Sequence, residues 1–550
     1  MRRAQLLLCF LGCACLVSGS HAAFAAPKDF SDAPSARMRW CEAEHQSCTV
    51  SAVADLNGDG IQDMVLERAA EGSRSDGIAA AFEVDLSPYG ANPDAQAAKS
   101  VPILPAQRTL ISMKARQNST PPTAVDANGD GVADLVFFGG VTVASRREHQ
   151  QVLVLFGRTT WAKSYNLDSS DHVDLTIDRF RQVAANEAFA SSLSAAFADV
   201  NADGKPDLVL GVASTPGNGA VGSPMGPGSP SRGGDARGTA RPPAEVGVMF
   251  GTGKWPAKLD WKPQLTVTGM GPCADALAGA HDVTGDGVAD LVVRKCATGM
   301  PTQLRVVPGR GTWPATIQLA GSTDTKASPS VLPTEEPQPP QPPPGGGYGK
   351  GGNGSNAATC TDRGEPVIFG DLNGDGVLDV GMVVGEKSHL WYGGRDLAER
   401  MEANRTSGII LGGGVGGLAV TNGWRVADMN NDGTDDLVMT KDEPSFVQAM
   451  RAVPRGAGGS DEHGAPKSGI GCGMKLGRSA AVYTQGQIRR RVLDTVMDAP
   501  DLVWPSFGST LWGIGDFNGD GVDDLLLGPM PGSHNSQPDL QVVYGPLGGK

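Results

Sequence analysis

Aspartates recur in this chain at a fixed spacing that is suited to gripping a cation. Residues 55–63 read DLNGDGIQD. The pattern returns as DANGDGVAD (126–134), DVNADGKPD (199–207), DVTGDGVAD (282–290), DLNGDGVLD (371–379), DMNNDGTDD (428–436) and DFNGDGVDD (516–524). All seven copies fit D-x-[N/T]-x-D-G-x-x-D. At average residue usage a chance match is expected about once in several hundred thousand positions, so the copies mark a repeated structural unit.

In each copy the side chains at positions 1, 3, 5 and 9 and the backbone carbonyl at position 7 form a candidate ligand set. The first loop offers Asp55, Asn57, Asp59, Ile61 and Asp63, and the second Asp126, Asn128, Asp130, Val132 and Asp134. The third offers Asp199, Asn201, Asp203, Lys205 and Asp207, and the fourth Asp282, Thr284, Asp286, Val288 and Asp290. The fifth offers Asp371, Asn373, Asp375, Val377 and Asp379. The sixth offers Asp428, Asn430, Asp432, Thr434 and Asp436, and the seventh Asp516, Asn518, Asp520, Val522 and Asp524. Glycine at position 6 permits the positive φ of a tight loop. Hard oxygen donors in a flexible loop suit Ca2+, which takes six to eight at about 2.3–2.6 Å, whereas Mg2+ keeps its waters and zinc selects His or Cys. The expected cofactor is therefore calcium, up to seven ions. The competing reading is that Asn-Gly-Asp-Gly is hairpin-turn chemistry. Such a turn needs no Asp at both positions 1 and 9, yet all seven copies keep both. The fourth copy is the weakest, because the Thr284 hydroxyl is a poorer ligand than an amide oxygen.

Charge agrees with a metal load. The formal net charge is −14, and it deepens to about −16 once Arg2 and Arg3 leave with a leader peptide. Seven Ca2+ would bring it to about −2. Twenty-three aspartates lie in the loops themselves, so the acidity is local and does not argue for a basic partner. The loop opens like an EF-hand but has no Glu at position 12, where the first two copies carry Leu66 and Phe137. Short apolar runs follow instead: MVL, LVFF, LVLGV, LVV, VGMVV, LVM and LLL. These read as buried strands, so each loop joins two strands rather than two helices.

The N-terminus has a basic start, an apolar run from Leu6 to Val17 and small residues up to Ala25. That is the pattern of a secretory signal peptide over residues 1–25, too short to span a bilayer. Cys13 and Cys15 raise a lipoprotein anchor, but the residues before them match a lipobox poorly. The mature chain is expected to be secreted or held at the cell surface, with no transmembrane segment. Six cysteines remain: Cys41, Cys48, Cys273, Cys296, Cys360 and Cys472. Their even number favours disulfides, and proximity suggests Cys41–Cys48, Cys273–Cys296 and Cys360–Cys472 among the 15 pairings open to six cysteines.

Successive first aspartates stand 71, 73, 83, 89, 57 and 88 residues apart. Pro/Gly/Ser-rich stretches near 214–243, 326–356 and 452–476 account for the long gaps and read as disordered inserts. The unit left is roughly 55–75 residues, enough for four strands. A second signature follows each loop: VLVLFGRTTW (152–161), VGVMFGTGKWPAKLDW (246–261) and LRVVPGRGTWPATIQL (304–319) share a strand, a Gly turn and a Trp opening another strand. HLWYGG (389–394) and LQVVYG (540–545) are shorter versions. The expected fold class is all-β, a seven-bladed β-propeller over residues 26–550 with a calcium-binding loop between strands of each blade.

The stretch FGSTLWGIGDFNGDGVDDLLLGPM (507–530) resembles an FG-GAP repeat, with Phe507-Gly508, the aspartate loop and Gly-Pro-Met in place of Gly-Ala-Pro. FASSLSAAFADVNADGKPDLVLGVA (189–213) is a looser copy. The resemblance to the FG-GAP and VCBS-type repeats covers nearly all of the mature chain and includes the integrin α-subunit propeller and many bacterial exported proteins. It implies a calcium-bearing propeller. No integrin-type stalk, transmembrane helix or cytoplasmic tail is read after the last repeat, so an integrin receptor role is not implied. The last unit ends where its fourth strand should begin. Residues 35–40, which include Trp40, precede the first loop and are expected to supply that strand, so that deleting 27–48 would destabilise the ring.

No G-x-S-x-G, H-E-x-x-H or P-loop occurs, and an enzyme is not the first expectation. His281 beside the fourth loop reads as strand-end packing. Gly412, Gly414 and Gly417 match G-x-G-x-x-G but stand too near Asp428 for a strand-to-helix context, so they read as a turn between blades. Basic residues form no patch, which excludes nucleic acid as the expected partner. Trp161, Trp255, Trp313, Trp391 and Trp512 are expected to fill space between blades. The leading reading is a non-enzymatic, monomeric adhesion or ligand-binding module for an extracellular protein or glycan. A polysaccharide-acting enzyme would show Arg, Lys, His and Tyr converging on the central channel. A lectin would repeat an aromatic and polar pocket between blades.

Overall fold

The apolar runs after the aspartate loops form strands buried on both faces where their side chains are described, which is why these runs do not alternate with polar residues. Met64, Val65 and Leu66, Leu208, Val209 and Leu210, and Leu525, Leu526 and Leu527 are all at most 1% exposed. The computed structural model describes residues 28–29, 35–39, 48–68, 79–89, 105–114, 122–144, 147–182, 190–215, 244–271, 273, 275–296, 302–319, 367–384, 387–402, 410–412, 425–442, 478–483, 502–504, 510–528 and 539–546. The signal-peptide region, Trp40, the inserts at 326–356 and 452–476, and the cysteine pairs Cys41–Cys48 and Cys360–Cys472 lie outside the described residues or their side chains.

Among the described residues the strands form seven sheets in a β-propeller arrangement. Sheet I contains Cys48–Ala54, Asp63–Arg68, Ala79–Leu86 and Gln107–Lys114 in antiparallel order. Sheet II contains Thr123–Val125, Asp134–Ala144, Arg147–Leu155 and Leu175–Gln182. Sheet III contains Ala190–Ala198, Asp207–Thr215, Glu245–Met249 and Leu265–Thr268. Sheet IV contains Leu277–His281, Asp290–Lys295 and Gln303–Val307. Sheet V contains Val367–Gly370, Asp379–Val384, Lys387–Trp391 and Ile410–Gly412. Sheet VI contains Arg425–Ala427, Asp436–Asp442, Arg478–Tyr483 and Leu502–Trp504, and sheet VII contains Thr510–Gly515, Asp524–Gly528 and Asp539–Val543. In every sheet the aspartate loop joins the first strand to the second. The residue before position 1 pairs with the position-9 aspartate, as in Ala54↔Asp63 and Gly515↔Asp524.

Consecutive sheets pack face to face, and the apolar clusters lie between them rather than in one central core. Leu56, Val65 and Phe82 of sheet I meet Leu135, Phe137 and Trp161 of sheet II. Val209 and Val246 of sheet III meet Leu277 and Leu291 of sheet IV. Met64 and Tyr89 of sheet I meet Phe517, Leu526 and Leu540 of sheet VII, so the last sheet packs on the first. The disulfide Cys273–Cys296 ties the entrance of sheet IV to the end of its second strand, as proximity suggested.

Two expectations are corrected. The strand opened by each Trp does not serve as the fourth strand of its own unit. Ser164–Asn166, Lys258–Asp260 and Thr316–Gln318 instead lie parallel to the fourth strands of the preceding sheets I, II and III. Units II, III and IV thus each lend a fifth strand backwards, which protects an edge that would otherwise present unpaired amides. In sheet V the same connection forms the short helix Leu397–Glu402, whose Met401 carbonyl accepts from Arg305 Nη1 on the third strand of sheet IV (3.1 Å). The insert placed at 214–243 begins later, because Ser214 and Thr215 still belong to the strand Asp207–Thr215.

The expected closing strand is present. Ser35–Arg39 pairs antiparallel with Asp539–Val543, from Ser35↔Val543 to Arg39↔Asp539, and so supplies the fourth strand of sheet VII. Lys28–Asp29 adds in parallel to Leu502–Trp504 of sheet VI.

Candidate metal loops

The loop residues work as a set because most backbone amides inside the turn meet a side-chain oxygen. In the first loop Asp55 Oδ1 accepts from the amide of Gly58 (2.6 Å) and Oδ2 from that of Gly60 (2.8 Å). Asn57 Oδ1 accepts from the Asp59 amide, and Asp59 Oδ1 from the Ile61 amide (both 2.9 Å). The second, fifth and seventh loops repeat this pattern around Asp126, Asp371 and Asp516. The third and sixth keep the position-6 amide on Asp199 and Asp428. Position 6 has φ between +78° and +87° in all seven, so glycine is required there. Position 2 is always apolar because it faces the core: Leu56, Ala127, Val200, Val283, Leu372, Met429 and Phe517 are at most 3% exposed.

Position 9 is fully buried in every copy, from Asp63 to Asp524. Asp63 Oδ2 accepts from the Leu56 amide (2.7 Å) and Oδ1 from the Ser87 amide (2.6 Å). In sheets II, III, IV, V and VII the second donor is a glycine at the exit of the third strand: Gly157 to Asp134, Gly251 to Asp207, Gly309 to Asp290, Gly393 to Asp379 and Gly545 to Asp524. This explains the Gly turn that recurs after the third strand. A Cβ on Gly393 would stand 2.5 Å from the Leu378 carbonyl oxygen and 2.6 Å from Val377 Cγ1. Gly393→Ala is therefore expected to cost about 1–3 kcal/mol of stability, read as a lower urea midpoint at unchanged slope.

These bonds give the aspartates at positions 1 and 9 structural work that needs no cation. What they leave uncompensated is charge. Burial pushes Asp63 and Asp207 up to about 6 and Asp134, Asp379 and Asp524 up to about 7. The amide hydrogen bonds oppose the shift, and the carboxylates of the same loop add to it. Because these groups bind protons more tightly folded than unfolded, the metal-free protein is stabilised at low pH. It is expected to lose stability as pH rises from about 4 to about 7. Melting scans in chelator across that range check the sign, and a rise in stability over the window would contradict it.

Side-chain oxygens from Asp and Asn with a carbonyl at position 7 remain the donor chemistry that fits Ca2+. Among the described residues no group of three or more His, Cys, Asp or Glu side chains stands together at metal-holding geometry, the carboxylates being turned onto loop amides. In the fourth loop the Thr284 hydroxyl is buried against Asp290 Oδ1 (3.4 Å), so position 3 there faces inward.

The loops are also tied to one another. Amides at position 8 donate to the position-1 carbonyl of the preceding loop: Gln62 to Asp516 (2.8 Å), Ala133 to Asp55 (2.9 Å), Ala289 to Asp199 (3.0 Å) and Asp435 to Asp371 (3.2 Å). The indoles of Trp161, Trp255 and Trp313 donate to the position-2 carbonyls of Leu56, Ala127 and Val200 in the preceding sheet. These tryptophans thus bridge blades as expected. Trp391 packs between sheets IV and V, and the side chain of Trp512 lies outside the described residues. His281 packs its ring on Phe369 of the next sheet at 4.4 Å.

Residues that the repeat pattern did not single out are Asp435 and Asp523, at position 8 of the sixth and seventh loops. Asp435 Oδ2 accepts from the Asp371 amide (2.8 Å) and Asp523 Oδ2 from the Asp428 amide (3.1 Å), each capping the loop before it. Burial, with neighbouring carboxylates, raises both. The extra Asp in these two copies was the available signal. Against known proteins, no family model and no curated sequence matches the chain.

Proposed function

We propose that the chain is an exported, calcium-stabilised, seven-bladed propeller of the FG-GAP type, acting as a non-enzymatic adhesion or ligand-binding module for a protein or glycan. One observation carries the reading: seven loops of one design, each concentrating three or four aspartates, one of them a fully buried carboxylate. Burying like charges together is costly without a counter-ion, and seven bound cations would remove that cost. The sequential packing of seven sheets, with the seventh against the first, supports closure into a ring. Among the described residues no helix is long and apolar enough to cross a membrane.

In this reading the calcium loops hold the blades rigid and loops elsewhere on the propeller contact the ligand. The test is retention of the folded chain on arrays of extracellular glycans and surface proteins, run with calcium and with chelator. Specific binding that disappears on chelation and returns with Ca2+ is the expected result. Turnover of a polysaccharide by the purified chain would replace this reading with the enzymatic one.

A further inference from the structure

We propose that Asn57, Asn128, Asn373 and Asn518 are deamidation sites that the carboxylate heading each loop holds latched. Each of these asparagines precedes a glycine. Without a Cβ on the following residue, a glycine nitrogen reaches the asparagine Cγ more freely than that of any other residue. In the reaction the glycine nitrogen bonds to Cγ and closes a five-membered succinimide. The Cγ–Nδ2 bond breaks, and the amide nitrogen leaves as ammonia with the proton from the glycine N–H. Water then opens either imide bond, giving aspartate or isoaspartate.

The folded loop withholds the nucleophile. The glycine N–H donates to the position-1 carboxylate at 2.6 Å in Gly58, 2.7 Å in Gly129, 2.6 Å in Gly374 and 2.6 Å in Gly519. Deprotonating that nitrogen beside a carboxylate places two negative charges in contact, which is unfavourable. The electrophile is held as well. Each Oδ1 accepts from the position-5 amide at 2.8–2.9 Å, and each Nδ2 donates to a loop carboxylate. Ring closure requires these bonds to break together, so the reaction waits on local opening of the loop. The other three loops lack the pair: Asn201 precedes Ala202, Asn430 precedes Asn431, and position 3 of the fourth loop is Thr284.

The product changes the loop permanently. Aspartate at position 3 adds another negative charge to a site that already holds three or four. Isoaspartate runs the backbone through an extra methylene and breaks the spacing that sets the turn. The modification therefore records how long a loop has stood open. The inference stands on the hydrogen bonds and holds whether or not a cation fills the loops.

The test is peptide mass spectrometry of the full chain after incubation at mildly alkaline pH in calcium, native and in concentrated urea. The Asn-Gly pairs at Asn218, Asn353 and Asn422 calibrate the urea reaction. All seven pairs are expected to deamidate at similar rates in urea. In the native chain the four loop asparagines should react at least about tenfold slower than in urea, corresponding to an opening cost of about 1.4 kcal/mol or more. Asp126→Asn should then speed Asn128 alone by about tenfold, with unchanged rates at Asn57, Asn373 and Asn518 reporting that the other loops are intact. Native rates within twofold of the urea rates would overturn the proposal, as would an Asn128 that stays slow in the variant.

Discussion

Stripping calcium from the proposed metal loops is expected to lower the melting temperature of the protein by roughly 10–20 °C. A cation that binds only the folded state stabilises it by about 2.7 kcal/mol when free at a hundred times its dissociation constant. Seven such sites give about 19 kcal/mol. Unfolding entropy of about 2 cal/mol/K per residue, over a chain of about 500 residues, converts this to a shift near 18 °C. The buried position-9 carboxylates indicate where the effect would arise, since a cation bound as proposed would screen charges that burial otherwise drives towards protonation. Calorimetry with calcium, with chelator and with magnesium alone measures it. Recovery with Ca2+ and not Mg2+ is expected, because Mg2+ demands near-octahedral geometry and retains its waters. An unchanged melting temperature on chelation would sink the metal reading and leave the loops as hydrogen-bonded turns.

That alternative has substance because of what the sequence did and did not disclose. The repeat, its strand-flanked position and the all-β architecture could be read from seven aspartate loops followed by apolar runs. The closing strand was legible by subtraction: the last unit lacked a fourth strand, and Ser35–Arg39 fills it. The duty of position 9 was not legible. Asp at positions 1 and 9 looked like evidence for metal alone, whereas Asp63 also fastens the loop entry at Leu56 to the strand exit at Ser87. Those donors stand 31 positions apart in the chain, and no local pattern announces them. The backward-lent strands were hidden for a related reason. Lys258–Asp260 has ordinary strand composition, and only the packing of two sheets decides that it joins sheet II rather than sheet III. Trp255 carried a partial hint, since its indole donates to the Ala127 carbonyl of that same preceding sheet. A residue that anchors to the neighbour brings the strand after it to the neighbour too.

Truncating the N-terminus is expected to show that the ring depends on strands far from it in sequence. Among the described residues, a chain beginning at residue 35 loses only the two-residue pairing of Lys28–Asp29 with Leu502–Trp504, and should lose at most about 2 kcal/mol. A chain beginning at residue 40 also loses the five-residue ladder against Asp539–Val543 and the bond from Gln541 Nε2 to Ser35 Oγ (3.0 Å). Net hydrogen-bond contributions near 1 kcal/mol, with the buried Ala36 lost from the cluster that joins sheets VII and I, put the cost at about 5 kcal/mol. The boundary matters: the longer deletion of 27–48 would also remove Cys48, which opens the first strand of sheet I, and would confuse two effects. Urea midpoints of the two truncations separate the staple from the flanking residues. Hydrogen exchange should localise the added loss to Asp524–Gly528 and Asp539–Val543, since an uncovered edge strand opens first. Equal midpoints for the two truncations would mean that the pairing of Ser35–Arg39 does not hold the propeller closed. The ring would then rest on the other contacts between sheets I and VII, among them the packing of Tyr89 and Met64 against Phe517 and Leu526 and the Gln62 amide on the Asp516 carbonyl.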